Sequence, residues 1–239
     1  MDKTAEVAQL LLIQQFLQRD RTCLVRLAGE PDLPALFFAR TQADPGFISA
    51  VSTVLDGYGH RSTSPDATAW GRFAESAHGS SWEAVWRALL LVRLSQGGPL
   101  LSLQGGKKEL FAPLTSRLRQ LPRREAPWSE GHTSLVAELG GDLETSLLAK
   151  DLADLFDQAI GRKGRTLWLV FSDLGDDLLE TRQQSQAAIT GLFEMIQALD
   201  ARRLSAIRPL VFLQESVWER LIFQNKSHFN GRDLRLFEH

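Results

Sequence analysis

Residues 25–38, VRLAGEPDLPALFF, have the layout of a strand that feeds a phosphate-binding loop, because an apolar run meets a glycine and then a helical start. Aligning the loop pattern G-x-x-x-x-G-K-[ST] with GEPDLPAL puts Gly29 on the first glycine and Pro34 on the second. Ala35 then takes the place of the lysine, and Leu36 that of the hydroxyl residue. Since these residues offer neither an N–H at Pro34, nor a cation, nor an oxygen for Mg²⁺, we expect little affinity for a triphosphate.

Two apolar runs in the second half of the chain are each followed by polar residues. The first is LWLVFSDLGDD (167–177), whose opening residues are typical of a strand that is buried on both faces of a parallel sheet. The second is IRPLVFLQESVWERL (207–221), and a helical segment at about 181–201 separates the two runs. Strands that alternate with long helices indicate an α/β fold with a parallel core.

With these segments in this order, residues 142–236 resemble bacterial P-loop ATPases related to the STAND and KAP branches of the AAA+ superfamily. In that group a Walker B strand ends in Asp-Asp-Leu-Asp, and a later strand has the form R-P-h-h-F-L-R-P-D, followed by an Asn-Lys or Ser-Lys segment. The matching text here is LWLVFSDLGDD, IRPLVFLQESVWERL and QNKSHFNGRDLRL. Over residues 1–60 the resemblance rests on position and predicted structure. It implies a P-loop NTPase-like parallel sheet flanked by helices, with a helical insertion between the Walker A-like and Walker B-like segments.

The resemblance also implies that the nucleotide site is degenerate. Ser172 stands where the family has the aspartate that helps to hold Mg²⁺, and Asp173 stands where a second acid helps to activate water. Gly175 replaces the last acid, and Gln214 replaces an arginine, so that no cation neutralises a transferred phosphoryl group. We therefore expect Gly29 and Asp173 to be vestigial cofactor-binding residues, with no catalytic residue, no metal site and no bound cofactor.

Several of these residues have a structural interpretation beside the functional one. The structural interpretation of Asp173 is a cap for a helix near 176–190 or a partner for Arg182. Arg208 and Lys226 are either sensor-like cations or solvated surface charges. The five histidines are scattered singly, with no i, i+4 pair on a helix, which argues against a metal site.

Composition limits the classes of function. The chain has 239 residues, a net charge of −2 and 44% hydrophobic residues, so it has no overall field that would attract nucleic acid or an anionic membrane. The single cysteine excludes an intrachain disulfide and a cysteine-rich zinc site. No apolar stretch is long enough to span a bilayer, and the N-terminus MDKTAE lacks the order of a signal peptide. We expect a cytoplasmic protein without a membrane partner.

We predict a single domain over residues 1–239. Its core strands are expected at about 22–28, 166–172 and 207–213, with a mostly helical elaboration at about 64–160 and a final edge strand in DLRLF.

The functional hypothesis is a catalytically inactive ATPase-like domain that acts as an interaction or scaffold subunit. Its partner would be another protein or further copies of itself, in a bacterial assembly that serves defence or signalling. One alternative is an active or nucleotide-binding ATPase with an atypical or partner-completed site, for which ATP and Mg²⁺ would be the cofactors. The other is a nucleic-acid-binding module, suggested by the basic runs RLRQLPRRE (117–125) and GRKGR (161–165).

Overall fold

The computed structural model describes residues 3–17, 24–28, 33–44, 46–49, 52–59, 64–97, 106–122 and 127–236. The strands within these ranges are β1 (Leu24–Leu27), β2 (Ser52–Tyr58), β3 (Thr166–Phe171), β4 (Ile207–Gln214) and β5 (Asp233–Leu236). The helices are α1 (Lys3–Leu17), α2 (Leu33–Ala43), α3 (Ala67–Gly79), α4 (Trp82–Gly97), α5 (Gly106–Gln120), α6 (Glu130–Gly141), α7 (Leu143–Gly161), α8 (Arg182–Ala201) and α9 (Glu215–Arg220), with a 3₁₀ helix at Lys226–Phe229.

The five strands form one open, all-parallel sheet in the order β2-β3-β4-β1-β5. The central strand is β4, whose Val211 lies opposite Leu24 of β1 on one side and Phe171 of β3 on the other. The predicted α/β class with a parallel sheet is confirmed, and β5 lies at an edge, as the pattern DLRLF predicted. Strands β1, β3 and β4 coincide with the three predicted core strands.

The sequence pattern did not predict β2. Turn clusters, DPG before the strand and DGYG at its end, make residues 44–66 look like a broken region. The strand forms because it pairs with β3 over its whole length, from Ser52 opposite Thr166 to Tyr58 opposite Phe171. A register shift between Asp56 and Tyr58 accommodates the glycine in this end of the strand.

Helices cover both faces of the sheet, and the strand order decides which helix lies on which face. The connection from β1 to β2 runs along the sheet in one direction, whereas β2 to β3 and β3 to β4 run in the other. Because crossovers between parallel strands are right-handed, α2 must lie on one face and the helices α3–α8 on the opposite face.

The α1–α2 face has the smaller of two buried clusters. Ile13 and Leu17 of α1 and Phe37 of α2 pack against Val25 and Phe212 of the sheet. The rings of Phe37 and Phe212 are 5.5 Å apart between centroids. Alternation along β1 sends Val25 and Leu27 to this face and Leu24 to the other, as expected for a strand that is covered on both sides.

The opposite face has the larger cluster, built around α4. Trp86 is fully buried there, with its ring 5.7 Å from that of Phe171 and its Nε1–H donating to the carbonyl of Ala188 at 2.7 Å. The helices α3–α7, all between β2 and β3, occupy the region that the sequence predicted to be mostly helical. Gly191 of α8 lets this layer close tightly, because a Cβ on it would lie 2.3 Å from the Cβ of Trp82.

Candidate functional site

The strand order points to the carboxyl edge of the sheet between β1 and β4 as the candidate site. After β1 the chain continues to β2 at one end of the sheet, and after β4 it continues to β5 at the other. Neighbouring strands whose connections leave in opposite directions open a crevice outside their carboxyl ends, and ligands of open α/β sheets bind in such crevices.

At the end of β1, the predicted site residue Gly29 and residues 30–32 lie outside the described residues. Helix α2 begins at Leu33, so Pro34 lies in its first turn. Ala35 is exposed and Leu36 is half-buried. The first turn of α2 therefore presents neither a cation nor a side-chain oxygen toward the carboxyl edge.

At the end of β3, Ser172 is buried against the neighbouring strand end. Its N–H donates to the carbonyl of Tyr58 at 2.8 Å. Gly59 lies so close that a Cβ on it would be 2.1 Å from the Ser172 hydroxyl oxygen, and its φ of 119° is one that other residues rarely adopt. The Ser172 hydroxyl is thus enclosed by the protein, at the β2 side of β3.

Asp173, the other predicted site residue, is exposed and has a left-handed backbone with φ of 53°. The structural roles predicted for it are wrong. Helix α8 begins at Arg182 with Thr181 as its N-cap, and the carboxylate that pairs with Arg182 Nε, at 3.1 Å, belongs to Asp176. Asp173 instead lies near Tyr58 of β2.

Three carboxylates lie near the Tyr58 hydroxyl, where β2 and β3 end at the carboxyl edge of the sheet. Burial, together with the smaller effects of the negative charges of Asp173, Asp177 and Asp56, raises the pKa of the Tyr58 hydroxyl to about 12. Its ring packs edge-on against Trp70, 5.1 Å between centroids.

Beside the crevice between β1 and β4, charged side chains of β1, β5 and α9 bind one another. Arg26 of β1, whose side chain is 11% exposed, pairs with Glu215 at 3.1 Å and with Asp233 of β5. Arg235 Nη2 lies 3.0 Å from the same Glu215 oxygen. We call these four residues the cross-strand ion cluster. It ties β1, β5 and the start of α9 together directly after Gln214, where the resembling family has its arginine.

Lys226 and Arg208, which the sequence offered as sensor-like cations, make other contacts in the structure. Lys226 Nζ donates to the carbonyls of Trp218 at 2.6 Å and Leu221 at 2.8 Å, so it holds the end of α9. Burial lowers the pKa of Lys226, and the charge of Arg26 lowers it further. Arg208 lies at the amino end of β4 over the ring of Trp168, at the opposite edge of the sheet from the crevice. A sensor role for Arg208 is therefore wrong.

A groove of about 650 Å³ opens at the carboxyl edge between α8 and the segment after β4. Asp176 bridges its two arginines, accepting from Arg220 Nη2 at 2.6 Å and pairing with Arg182. Beside them Ile222 is 93% exposed. We call this the arginine groove, and its lining residues are Arg182, Gln183, Gln186, Glu219, Arg220 and Ile222.

Sequence reasoning missed the cross-strand ion cluster and the arginine groove. A signal for the first was present in LVRL, because an arginine inside an otherwise buried strand requires a partner of opposite charge. The groove had no such signal, since its charged residues come from segments some forty residues apart that only the sheet brings together.

Within the described part of the chain, no group of three His, Cys, Asp or Glu side chains is placed to hold a metal ion. The described helices also include none with the length and apolar character needed to cross a bilayer. Comparison of the chain with protein-family models, with curated proteins and with solved structures gave no match in any of the three.

Proposed function

We propose that this chain is a degenerate P-loop NTPase-like domain, related to the bacterial STAND and KAP-like ATPases, that acts by binding a protein partner. The observation that carries the proposal is the cross-strand ion cluster. Beside the switch point, where a nucleotide would need free cations, Arg26 and Arg235 are engaged by Glu215 and Asp233. A phosphate would have to displace a carboxylate from a nearly buried arginine before it could bind.

Two further features support the loss of nucleotide chemistry. The first turn of α2, which would have to supply phosphate contacts, consists of Leu33, Pro34, Ala35 and Leu36. The hydroxyl of Ser172 is buried and packed against the backbone of Gly59, away from the crevice. Each lost charge-assisted contact removes about 1.5–3 kcal/mol of binding free energy, so losing several together leaves little affinity for ATP.

The arginine groove supports the choice of a protein as partner. An isoleucine that is almost fully exposed beside two arginines has the composition of an interface centre, where apolar contacts and arginine are enriched. The groove lies at the carboxyl edge, so a partner that sits in it would cover the region of the former nucleotide site.

A thermal-shift experiment tests the loss of nucleotide binding. We expect the melting temperature to be the same with and without millimolar ATP and Mg²⁺, because ligand present at 100 times its Kd would stabilise the fold by about 2.7 kcal/mol. Magnesium alone and ATP with EDTA serve as controls for ion effects. A rise that requires both ATP and Mg²⁺ would overturn the proposal in favour of a nucleotide-binding domain.

Co-purification from the native host tests the partner. Ile222→Asp introduces a charge into the arginine groove, whereas Leu147→Asp changes a leucine that is 53% exposed on α7. We expect a protein that is retained by the wild type and by Leu147→Asp and is lost with Ile222→Asp. Equal retention by all three would place the interaction elsewhere on the molecule.

A further inference from the structure

Helix α6 begins with a capping box in which a histidine takes the third helical position. Ser129 is the N-cap, and its backbone N–H donates to Nδ1 of His132 at 3.1 Å. Glu or Gln usually fills this position, as Gln184 does at the start of α8, where its Oε1 accepts from the Thr181 N–H at 3.2 Å. The two boxes differ in chemistry, because a glutamine oxygen accepts at any pH, whereas a histidine nitrogen accepts only while it is unprotonated.

The other ring nitrogen of His132 joins α6 to the ends of α4 and α5. His132 Nε2 lies 2.7 Å from Nε2 of Gln96 in the last turn of α4, and the same amide nitrogen donates to the carbonyl of Pro122, just after α5, at 3.1 Å. N–H donors of the protein therefore face both nitrogens of a side chain that is fully buried. A neutral imidazole keeps one nitrogen as an acceptor for them, and an imidazolium keeps none.

A buried arginine adds to the cost of charging this ring. The indole of Trp128 stacks on the His132 ring, with 4.9 Å between centroids, and the guanidinium of Arg93 lies 5.0 Å from the centroid of the Trp128 ring. The Arg93 side chain is 3% exposed and lies 3.9 Å from the carboxylate of Asp56 in β2. Burial lowers the pKa of His132 most, the charge of Arg93 lowers it further, and hydrogen bonds with the backbone oppose them only in part. The ring also stands in the first turn of α6, where the helix dipole disfavours a positive charge.

The charged residues that α3 and α5 place along α6 do not titrate together with His132. They form ion pairs with two glutamates of α6: Arg72 with Glu130, and Arg117 with Glu138. Hydrogen bonds from these arginines lower the pKa of both carboxyl groups, so the glutamates stay ionised while His132 titrates. Of the described groups at the start of α6, His132 is therefore the one whose charge changes between about pH 5 and pH 7.

We propose that the Ser129–His132 capping box is a pH-sensitive latch, which holds the start of α6 against the ends of α4 and α5 while His132 is neutral and releases it when His132 is protonated. Because the fold lowers the pKa of His132, the contribution of the latch to stability is complete above the ordinary value of 6.5 and is lost as the pH falls through the lowered value. The latch uses none of the residues of the arginine groove, and the inference holds whether or not nucleotide binding has been lost.

Hydrogen–deuterium exchange of the full chain, read by mass spectrometry at about pH 7 and pH 5, tests the latch. Protection factors, which are corrected for the intrinsic pH dependence of exchange, are expected to fall about fivefold at the start of α6 in the wild type, the effect of one lost buried hydrogen bond. His132→Gln is the matched variant, because Gln supplies an acceptor that does not titrate, and its protection there is expected to be the same at both pH values. The start of α8 is the internal control and is expected to be unchanged in both proteins. Equal protection of the wild type at the two pH values would overturn the inference, and so would an equal fall in His132→Gln.

A second measurement needs the wild type alone. In an NMR titration the ring ¹⁵N shifts report the charge of His132, and the backbone amide signals of residues 130–134 report whether the start of α6 is formed. We expect the ring to stay neutral below the ordinary pKa of 6.5 and to become charged as these amides lose protection. A ring that becomes charged while the amides stay protected would overturn the inference, whether or not His132→Gln folds.

Discussion

The two ends of the sheet's carboxyl edge are held together differently: ion pairs hold one end, and close packing holds the other. Around β1 and β5, Arg26 is held by Glu215 and Asp233. Around β2 and β3, Gly59 lies so close to Ser172 that a Cβ on it would be 2.1 Å from the Ser172 hydroxyl oxygen. The two ends should therefore respond to different changes: the packed end to added volume, and the ion-paired end to the removal of one charge.

The largest effect is expected from Gly59→Ala at the packed end. The new methyl group would lie 2.1 Å from Ser172 Oγ and 2.8 Å from its carbonyl oxygen, at a φ of 119° that alanine rarely adopts. Steric overlap and backbone strain together predict a loss of about 4 kcal/mol in the free energy of unfolding, measured by urea denaturation.

Gly71→Ala is the matched control for this change. Gly71 lies inside α3, and a Cβ there would meet nothing within 4 Å. Alanine is the better helix former, so this variant should gain about 0.5–1 kcal/mol. If Gly59→Ala were as stable as the wild type, the β2 and β3 ends would not be closed by packing.

The next effect is expected from Arg26→Met at the ion-paired end. This variant leaves Asp233 without its partner, while Glu215 keeps Arg235, and an uncompensated carboxylate in a mostly buried site predicts a loss of about 3 kcal/mol. Arg40→Met removes an exposed pair with Asp44 and should cost less than about 0.5 kcal/mol. Similar losses in the two variants, again from urea denaturation, would mean that the cross-strand ion cluster does not hold this end together.

The titration of Tyr58 sharpens the description of the packed end. It is the only tyrosine in the chain, so tyrosinate absorbance near 295 nm reports it alone. Because burial and nearby carboxylates raise its pKa from 10.0 to about 12, the neutral phenol favours the fold. This contribution is complete below pH 10 and is lost as pH rises through 12. A midpoint near 10 in the folded protein would show that the phenol is in water.

The contrast between the ends also explains what the sequence could predict. Strands β3 and β4 were visible as apolar runs because both of their faces are buried. β2 was hidden by turn residues, and the sheet partner that makes it a strand, β3, comes more than a hundred residues later. Helix α6 was predicted only as part of a mostly helical region at about 64–160, without bounds of its own.

The candidate site was predictable only as far as residue types are informative. The residues Pro34–Leu36 showed in advance that the first turn of α2 has no cation and no side-chain oxygen to bind a phosphate or Mg²⁺. The role of each acid after β3 was not, because Asp173, Asp176 and Asp177 look equivalent in sequence. Their backbone positions separate them: Asp176 bridges two arginines, while Asp173 and Asp177 lie near Tyr58.

The smallest effect is expected from Asp173→Asn, which tests this residue's role at the packed end. Asparagine keeps the shape of the side chain and tolerates the left-handed φ of 53°, so the backbone at this position should be retained. The pKa of Tyr58 should fall, because one of its neighbouring carboxylates is gone, but it should stay well above 10.0, because burial is the larger cause. Absorbance titration of the variant beside the wild type measures the fall in the pKa of Tyr58 and how far it stays above 10.0. An unchanged midpoint would show that the charge of Asp173 does not act on Tyr58. A return to 10.0 would make charge, and not burial, the dominant cause of the raised pKa. In that case electrostatics would dominate at both ends of the carboxyl edge.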